Sequence, residues 1–492
     1  MTASRTTRIL ILGGGYVGLY TAWGLEKRRG EAPIDVTVVE PNPYMTYQPL
    51  LPEVAGGHVQ PRHVTVPLVS ALKRTRVIRG AITGVSLAER SATVAAMDGS
   101  TRTIEFDQVV FALGAVTRTF PTPGLAEHGI GFKTVEEAAH LRDRVIENIA
   151  KAALTTDPAE RRRLLTFVFV GGGYTGVEAL SELLDLSRKT LAAQPSLSMG
   201  DVTWHLVEAL DRVAPEVGPE LSKWTLDHLR SRGVHVHLKT TMPSCEDGVV
   251  EISSGERIPT ATIVWTAGVK PNPILDATDA PRGPKGHVMA DARLRVIRED
   301  GEPVGGAWAA GDGAQVPDLT SEKQPAYYPP NAQNAVRQAK LLARNIIADL
   351  TGGTVEEYRH ASVGTVAEYG IGKGAGLIKG VKLRGLPAWL AHRAYHGAAM
   401  PTLDRKWRII TGWLVDAVTP RDLSPMSALQ DPRRAFRETA EATDREAAAK
   451  AAAKKESDAS RAGESAGVAV VERDHRDSRA PESWAPPRSA SA

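Results

Sequence analysis

The chain has 492 residues, more than one hydrophobic core usually holds, so two or three domains are expected. Hydrophobic residues make up 42% and charged residues 24%, as in ordinary soluble proteins, and no uncharged apolar run reaches the roughly 18 residues of a spanning helix. The formal net charge of +3 is too small to indicate binding to nucleic acid.

The single cysteine, Cys245, excludes an intrachain disulfide and any mechanism that uses a pair of redox-active thiols. Near the N-terminus, the apolar stretch Ile9 to Leu12 is too short for a signal-peptide core and runs into glycines instead of a cleavage site. We therefore expect a cytoplasmic protein.

Two segments repeat one pattern, an apolar strand that runs into a glycine-rich turn and then a helix. RILILGGGYVGLYTA contains Gly13, Gly14, Gly15 and Gly18, and FVFVGGGYTGVEAL contains Gly171, Gly173 and Gly176. Such a turn lets the backbone approach a pyrophosphate and aims helix amides at its charge. One copy is weak evidence, but two copies in the same context predict two dinucleotide-binding domains of the Rossmann type.

Each glycine turn is followed by a second strand that ends in an acid. IDVTVVE ends at Glu40, 22 residues after Gly18, and DVTWHLVE ends at Glu208, 32 residues after Gly176. A carboxylate at this place accepts hydrogen bonds from a ribose and repels a 2′-phosphate, so NADH is favoured over NADPH. The longer second interval requires a longer helix and loop.

Further strand ends indicate that one domain is inserted in the other. Each nucleotide domain is predicted to return toward its ligand at one of two segments, DQVVFALGA with Gly114 and TIVWTAGV with Gly268. The first domain then resumes with GAWAAGDGA at Gly306 to Ala314. The predicted class is α/β, with residues 6–130 and 291–360 binding FAD and residues 131–290 binding NADH. A helix is predicted from Asn331 to Leu350, after two prolines.

The pairing of two dinucleotides favours a resident FAD reduced by diffusing NADH. Asp312, after the third glycine-bearing strand, suits the flavin ribityl hydroxyls, and Ala332 and Gln333 bring a helix N-terminus toward the ring. Glu178 follows Gly176 by two residues and suits the nicotinamide side, although an acid in the first turn of a helix is also common. Hydride transfer needs positioning only, so no catalytic triad and no metal site are predicted.

These residues resemble the type II NADH dehydrogenases, peripheral membrane NADH:quinone oxidoreductases of the two-dinucleotide-binding flavoprotein superfamily. The resemblance covers Arg8 to about Arg421. It is carried by the two fingerprints and by YQPLLPEVAGG, GGGYTGVE, WTAGV, AAGD and PPNAQNAVRQA, which begin at Tyr47, Gly171, Trp265, Ala309 and Pro329.

The resemblance implies transfer of electrons from NADH through FAD to a quinone, without ion pumping. It implies FAD contacts at the first glycine turn with Tyr16 and Val17, and at Glu40, Ile82, Asp312, Ala332 and Gln333. Glu178 is implied as the NADH-side acid, and Gln333 lies in the family element at the quinone side. That element ends in Gln in the family, and here Arg337 stands in that position and Gln338 follows.

The C-terminal region is basic, with 12 Lys or Arg and 4 Asp or Glu from Lys373 to Arg437. Apolar residues from Trp407 to Val418 fall on one helical face, and a second stripe starts at Leu386. We expect residues 361–437 to bind the inner face of the cell membrane, or else to close the domain or form a homodimer. Residues 438–492 are expected to be largely disordered, with a short helix at Ala440 to Lys455.

Two other classes of protein remain open. The first is a soluble NADH-dependent flavoprotein reductase of a small redox protein, of the ferredoxin or rubredoxin reductase type. The second is a redox sensor without turnover. A disulfide reductase and a sulfide:quinone reductase are excluded because each needs paired cysteines.

Overall fold

The computed structural model describes residues 5–362 and 364–474. In these residues, regular secondary structure comprises twelve α-helices and 24 β-strands. The helices are α1 (Tyr16–Lys27), α2 (Leu51–Gly56), α3 (Leu68–Ala71), α4 (Leu125–His128), α5 (Val135–Leu154), α6 (Pro158–Leu164), α7 (Tyr174–Leu191), α8 (Pro219–Ser231), α9 (Ala332–Thr351), α10 (Leu386–Ala399), α11 (Leu403–Val418) and α12 (Arg434–Asp474).

The strands are mostly short, and the longest has eleven residues. They are β1 (Thr7–Leu12), β2 (Ile34–Glu40), β3 (Tyr44–Thr46), β4 (Thr65–Pro67), β5 (Arg76–Ser86), β6 (Ser91–Ala96), β7 (Thr101–Glu105), β8 (Gln108–Phe111), β9 (Ala115–Thr117), β10 (Gly129–Gly131), β11 (Thr166–Val170), β12 (Thr203–Val207), β13 (Val234–His237), β14 (Val249–Glu251), β15 (Arg257–Pro259), β16 (Thr262–Trp265), β17 (Val269–Pro271), β18 (Val288–Met289), β19 (Arg295–Ile297), β20 (Pro303–Ala309), β21 (Ala314–Gln315), β22 (Gly364–Glu368), β23 (Gly374–Ile378) and β24 (Val381–Arg384).

The first sheet has the order β19-β20-β8-β1-β2-β5-β6-β7. Its central strands β20, β8, β1, β2 and β5 are parallel. The central strand β1 is buried from Ile9 to Leu12, because a parallel sheet is covered on both faces. In the sequence, β20 follows the second domain, yet it lies in the first sheet. The first sheet is therefore built from segments on both sides of the second domain, as the sequence predicts.

The second sheet has the order β10-β16-β11-β12-β13 and is parallel throughout. The chain enters it through β9 and leaves it through β17, and these two strands pair with each other. The predicted α/β class and the insertion of one Rossmann-like domain in the other are therefore confirmed.

The boundaries of the inserted domain differ from the predicted 131 and 290. The strand β10 already begins at Gly129, and the chain leaves the second sheet by Pro271. Beyond it, the Asp279 carboxylate accepts the backbone N–H of Leu87 at 2.7 Å, and β18 pairs with β21. Residues 273–290 pack on the first domain because their polar groups find partners there, a tertiary effect that the sequence pattern does not contain.

The helix predicted at Asn331 to Leu350 is α9, displaced by one residue at each end. The interval of 32 residues between Gly176 and Glu208 contains a longer helix and loop, as predicted. The helix α7 has 18 residues where α1 has 12, and an irregular loop of eleven residues connects it to β12.

The C-terminal region contains a three-stranded antiparallel sheet, β22-β23-β24, that the sequence analysis did not predict. The helix α10 packs against this sheet, and α11 follows it. The strands are short and rich in glycine, so their pattern of alternation is weak.

The expectation of a largely disordered tail from residue 438 is wrong as far as residue 474. The helix α12 continues from Arg434 to Asp474 and includes the predicted short helix. Its repeated alanines, with Glu, Lys and Arg, have high helix propensity even without a core to pack on. Residues 475–492 lie outside the described part of the chain. The helix belongs to a second compact unit, residues 426–492.

Candidate functional site

The first glycine turn connects β1 to α1 and leaves no room for a side chain at Gly13 or Gly18. Gly13 has a φ of +105°, and a Cβ atom at Gly18 would lie 1.9 Å from the Gly13 carbonyl oxygen. At Gly15 a Cβ atom would meet nothing within 4 Å, so open space lies beside the N-terminus of α1. This geometry fits a dinucleotide pyrophosphate, because the helix amides face that open space.

The second glycine turn, between β11 and α7, repeats the first. Gly171 has a φ of +108°, and a Cβ atom at Gly176 would lie 2.0 Å from the Gly171 carbonyl oxygen. Gly173 is the N-cap of α7. The chain therefore contains two turns of the same construction.

The two strand-end acids occupy equivalent places. Glu40 Oε2 accepts the backbone N–H of Gly14 at 2.7 Å, and Glu208 accepts the backbone N–H of Gly172 in the same way. Glu208 therefore stands where Glu40 stands, although its interval in the sequence is ten residues longer. Burial raises the pKa of Glu40.

Asp312 lies in a single 3₁₀ turn after β20, next to the first glycine turn. Lys133 Nζ is 3.8 Å from Asp312 Oδ2, beyond hydrogen-bond distance, and burial raises the pKa of this carboxyl. A Cβ atom at Gly311 would lie 2.6 Å from Val17 Cγ2, so Asp312 and α1 share one end of the first sheet. A partly buried carboxyl of this kind suits a ligand that brings hydroxyl donors.

The N-terminus of α9 meets this same edge. The side chain of Asn331 accepts the backbone N–H of Asn334 at 2.7 Å as the N-cap. Arg337 Nη1 donates to Gln333 Oε1 at 3.2 Å, and Gln338 Oε1 accepts the Gly311 N–H at 2.7 Å. Gln338 is thus turned toward the turn that contains Asp312, and Arg337 is the residue in contact with Gln333.

The other predicted positions lie in supporting elements. Gly114 and Gly268 have φ values of +64° and +97° at the two crossings between the domains. The Gly268 carbonyl accepts the Arg118 N–H at 3.0 Å. Ile82 is buried on β5, opposite Val94 of β6.

Glu178 lies on α7 and is covered by the C-terminal region. Glu178 Oε1 accepts the backbone N–H of Glu368 at 3.0 Å and lies 3.8 Å from His392 Nε2. Burial raises the pKa of Glu178 to about 8. The acid is therefore mostly protonated at neutral pH.

Sequence reasoning missed a buried ionisable cluster around Glu178. Arg393 Nη2 lies 3.6 Å from Glu53 Oε2 and 3.5 Å from Glu368 Oε1, and His392 Nδ1 lies 3.1 Å from Glu368 Oε2. Burial, followed by the neighbouring Glu368 carboxyl, raises the pKa of Glu53 to about 8. A signal was present, since Glu53 interrupts the otherwise apolar helix LPEVAG.

A histidine and a tyrosine continue this cluster toward the first glycine turn. The rings of His392 and His396 are 4.4 Å apart between centroids, and His396 Nδ1 lies 3.0 Å from the Tyr47 hydroxyl oxygen. Tyr47 in turn contacts Tyr16, the first residue of α1. The spacing of four between the two histidines on α10 could have indicated one shared face.

On its other side the cluster ends in a buried ion pair. His58 Nε2 lies 3.0 Å from Glu182 Oε2, and His58 Nδ1 bonds to Asp416 of α11. Burial lowers the pKa of His58, but the Glu182 and Asp416 carboxylates outweigh it and raise that pKa to about 9. A protonated His58, two residues after the end of α2, thus connects α7 to α11.

Comparison with known proteins identifies the family. The model of the pyridine nucleotide-disulphide oxidoreductase family matches residues 7–339. The chain belongs to this family. Its one cysteine sets it apart from members that use a redox-active disulfide.

Relatives with established names include quinone reductases. A demethylphylloquinone reductase of Synechocystis sp. is 28% identical, over 84% of this chain and 97% of its own length. A type II NADH:quinone oxidoreductase of Mycobacterium tuberculosis is 26% identical, over 85% of this chain and 89% of its own length. The predicted resemblance to type II NADH dehydrogenases is therefore confirmed.

A solved structure has the same fold. NDH2 from Plasmodium falciparum, determined in complex with NADH, superposes with a TM-score of 0.78 at 17% identity, over 85% of this chain and all of that chain.

Proposed function

We propose that the chain is a type II NADH:quinone oxidoreductase, with FAD in the first glycine turn and NADH in the second. The observation that carries this assignment is the repeated turn, of which the first copy is joined by Asp312 and the N-terminus of α9. This difference between the two turns fits one dinucleotide that stays bound and one that exchanges. The first site has the additional groups that would retain a cofactor.

When bound, FAD accepts a hydride from NADH and supplies two electrons to a quinone. The chain's residues hold and orient it. The open side of Gly15 would take the pyrophosphate, Glu40 would accept hydrogen bonds from the adenosine ribose, and Asp312 would accept them from the ribityl hydroxyls. The positive dipole end of α9 would favour negative charge on the flavin.

Glu208 and Glu178 serve the NADH side. Glu208 accepts hydrogen bonds from the ribose hydroxyls and repels a 2′-phosphate, which selects NADH over NADPH. Glu178, with a pKa of about 8, carries little charge at neutral pH and so does not repel the incoming dinucleotide.

Gln333 and Arg337 serve the quinone side. Their side chains form one hydrogen-bonded pair, in which Arg337 donates and the Gln333 amide nitrogen stays free to face a quinone oxygen. The arginine adds a fixed positive charge, which stabilises the negative charge that develops on a quinone as it is reduced.

We place the enzyme on the cytoplasmic face of the cell membrane. None of the helices in the described residues is both long and apolar enough to span a bilayer. Large apolar side chains are nevertheless exposed on α10 and α11, including Leu386, Leu390, Leu403, Trp407, Leu414 and Val418. Arg408 and neighbouring cations accompany them, which favours an anionic lipid surface.

The soluble reductase of a small redox protein remains the alternative. It uses the same two nucleotide domains but has no need of the exposed apolar residues on α10 and α11. These side chains therefore favour the quinone enzyme.

The test uses one substitution in each glycine turn. Gly18→Ala and Gly176→Ala each bring a Cβ atom to within 2.0 Å of a carbonyl oxygen, so the local turn must open, at a cost on the order of 1–3 kcal/mol. We expect Gly18→Ala to lose bound flavin. Gly176→Ala should keep its flavin but reduce a short-chain quinone with NADH at least roughly tenfold more slowly.

The matched control is Gly30→Ala, in an exposed loop where a Cβ atom meets nothing within 4 Å. It should retain flavin and wild-type quinone reduction. Loss of flavin from Gly176→Ala with normal flavin in Gly18→Ala would reverse the assignment of the two sites. Flavin reduction by NADH without quinone turnover in the wild type would favour a protein acceptor.

A further inference from the structure

Three histidines lie on one face at the edge of the second sheet. The strands β12 and β13 pair so that His205 is opposite His235 and Val207 is opposite His237. Because side chains alternate along a strand, His235 and His237 share a face with His205. Val168, Val170 and Val207 on the same face belong to a buried apolar cluster.

Two of these histidines converge with a carboxylate. His205 Nδ1 and His237 Nε2 are 3.0 Å apart, and Glu256 Oε2 is 4.0 Å from His237 Nδ1. One ligand atom from each of the three residues lies within 4.8 Å of the other two. Nitrogen ligands on a tetrahedral zinc ion, with bonds of about 2.0–2.1 Å, are roughly 3.3 Å apart, so the two rings are already close to the required spacing.

The cluster can be reached from solvent. A depression of about 440 Å³ is lined by Arg230, Gly233, Val234, His235, Val236 and His237. The Glu256 side chain is 50% exposed and lies in the turn just before β15, so it can rotate without repacking. A small ion can therefore enter, and the third ligand can close on it.

We propose that His205, His237 and Glu256 bind a divalent transition metal of the zinc type. Two imidazoles and one carboxylate are the ligands that zinc takes in sites that keep a fourth position for water, whereas calcium and magnesium prefer oxygen ligands alone. The His235 ring is stacked on that of His205 with centroids 5.0 Å apart and supports it from one side. The site adjoins the proposed NADH side, since the His237 carbonyl accepts the Glu208 N–H at 2.9 Å.

The test is zinc binding to the full-length, flavin-loaded protein without an affinity tag, after removal of adventitious metal with a chelator. Competition with a chromophoric chelator measures stoichiometry and affinity. We expect one Zn²⁺ per chain, and zinc-edge absorption should show two imidazoles in the coordination sphere. Loss of a ligand in His237→Ala or Glu256→Gln should weaken binding by at least roughly tenfold, since even outer partners of metal ligands contribute 10–100-fold.

His128→Ala is the matched control. His128 Nε2 lies 3.9 Å from Glu127 Oε2. The substitution therefore removes a histidine–carboxylate pair elsewhere on the surface and should leave zinc affinity unchanged. Glu256→Gln alters an exposed residue and should keep its flavin and melting temperature, so its result does not depend on folding. The proposal is overturned if the wild type binds zinc no better than Glu256→Gln, or if His128→Ala weakens binding as much as His237→Ala.

Discussion

At the scale of single residues, carboxyl groups in different surroundings are suited to different roles. Glu40 and Glu208 each accept a backbone N–H from a glycine turn and remain near the ligand edge. Glu53 is buried and Glu178 is partly buried beneath the C-terminal region, and the pKa of each is raised to about 8. The first pair is placed to bind ribose, while the second pair is mostly protonated at neutral pH.

Glu208→Gln tests the selection of NADH. The amide still accepts a hydrogen bond from Gly172 but loses the charge that strengthens bonds from ribose hydroxyls, a loss of about 1–2 kcal/mol. We expect the KM for NADH to rise roughly tenfold, and the preference over NADPH to shrink, with flavin content unchanged. Steady-state kinetics with both dinucleotides measures this. Glu251→Gln, at an exposed position on β14, is the control, and an equal effect in both variants would argue against ribose recognition.

Glu53→Gln tests the raised pKa through stability. Glu53 has a folded pKa of about 8 against an ordinary value of 4.5, so the folded state binds the extra proton between these values. The free energy of unfolding therefore falls as pH rises from about 4.5 through about 8, because the proton that stabilises the folded state is lost. We expect the melting temperature of the wild type to fall more between pH 5.5 and 8.5 than that of Glu53→Gln. Parallel curves would contradict a raised pKa at this residue.

At the scale of elements, α10 and α11 each have a buried face and an exposed face. On α11, Ile409 is buried and the Trp413 indole donates to Glu53, while Leu414 and Val418 are 64% and 84% exposed. On α10, His392 and His396 face the buried cluster, while Leu390 is exposed. The same helices thus close the protein and expose an apolar surface.

The double variant Leu414→Glu with Val418→Glu tests the membrane surface. Two added charges at exposed positions should weaken binding to anionic vesicles by at least roughly tenfold, since burial of such side chains contributes about 1.5–3 kcal/mol each. Turnover with a water-soluble short-chain quinone should remain at the wild-type level. Vesicle co-sedimentation measures binding.

Leu154→Glu is the matched control, because Leu154 on α5 is also 84% exposed. It should bind vesicles as the wild type does. Unchanged vesicle binding by the double variant, together with a change from dimer to monomer in solution, would identify the surface as a homodimer interface.

At the scale of the whole molecule, the C-terminal region completes the site that the two nucleotide domains begin. Glu368 and His392 come from beyond residue 360, yet they contact Glu178 of the inserted domain. Arg421 and Asp416, which also lie beyond residue 360, contact the His58 ring. The first compact unit, residues 1–425, therefore contains the glycine turns, the cluster and the exposed apolar residues of α10 and α11 together.

A chain that ends at Pro425 tests this division. It loses α12, whose described side chains are almost all exposed, and keeps every residue assigned to the site. We expect flavin content, the KM for NADH and quinone turnover to stay within about twofold of the wild type. A chain that ends before Leu386 should instead lose solubility or flavin, because it removes α10 and α11, which cover the cluster and supply Arg393 and His392 to its acids. Equal behaviour of the two truncated chains would show that the cluster is dispensable.

The sequence by itself determined the two glycine turns, their acids and the nested order of the domains. These features depend on local chemistry, since φ values of +105° and +108° at Gly13 and Gly171 and backbone approaches of about 2 Å at Gly18 and Gly176 require glycine, and a strand pattern repeats over neighbouring residues. The family resemblance and the helix α9 follow from the same kind of signal.

Only the tertiary structure decided which distant residues share a buried environment. Glu53, Glu178, Glu368 and His392 are separated by up to 339 positions, and their raised or lowered pKa values come from burial that the fold creates. The small C-terminal sheet, the true end of the inserted domain and the convergence of His205 with Glu256 were decided in the same way. Burial and side-chain proximity are properties of packing between elements, and no local pattern in the sequence records them.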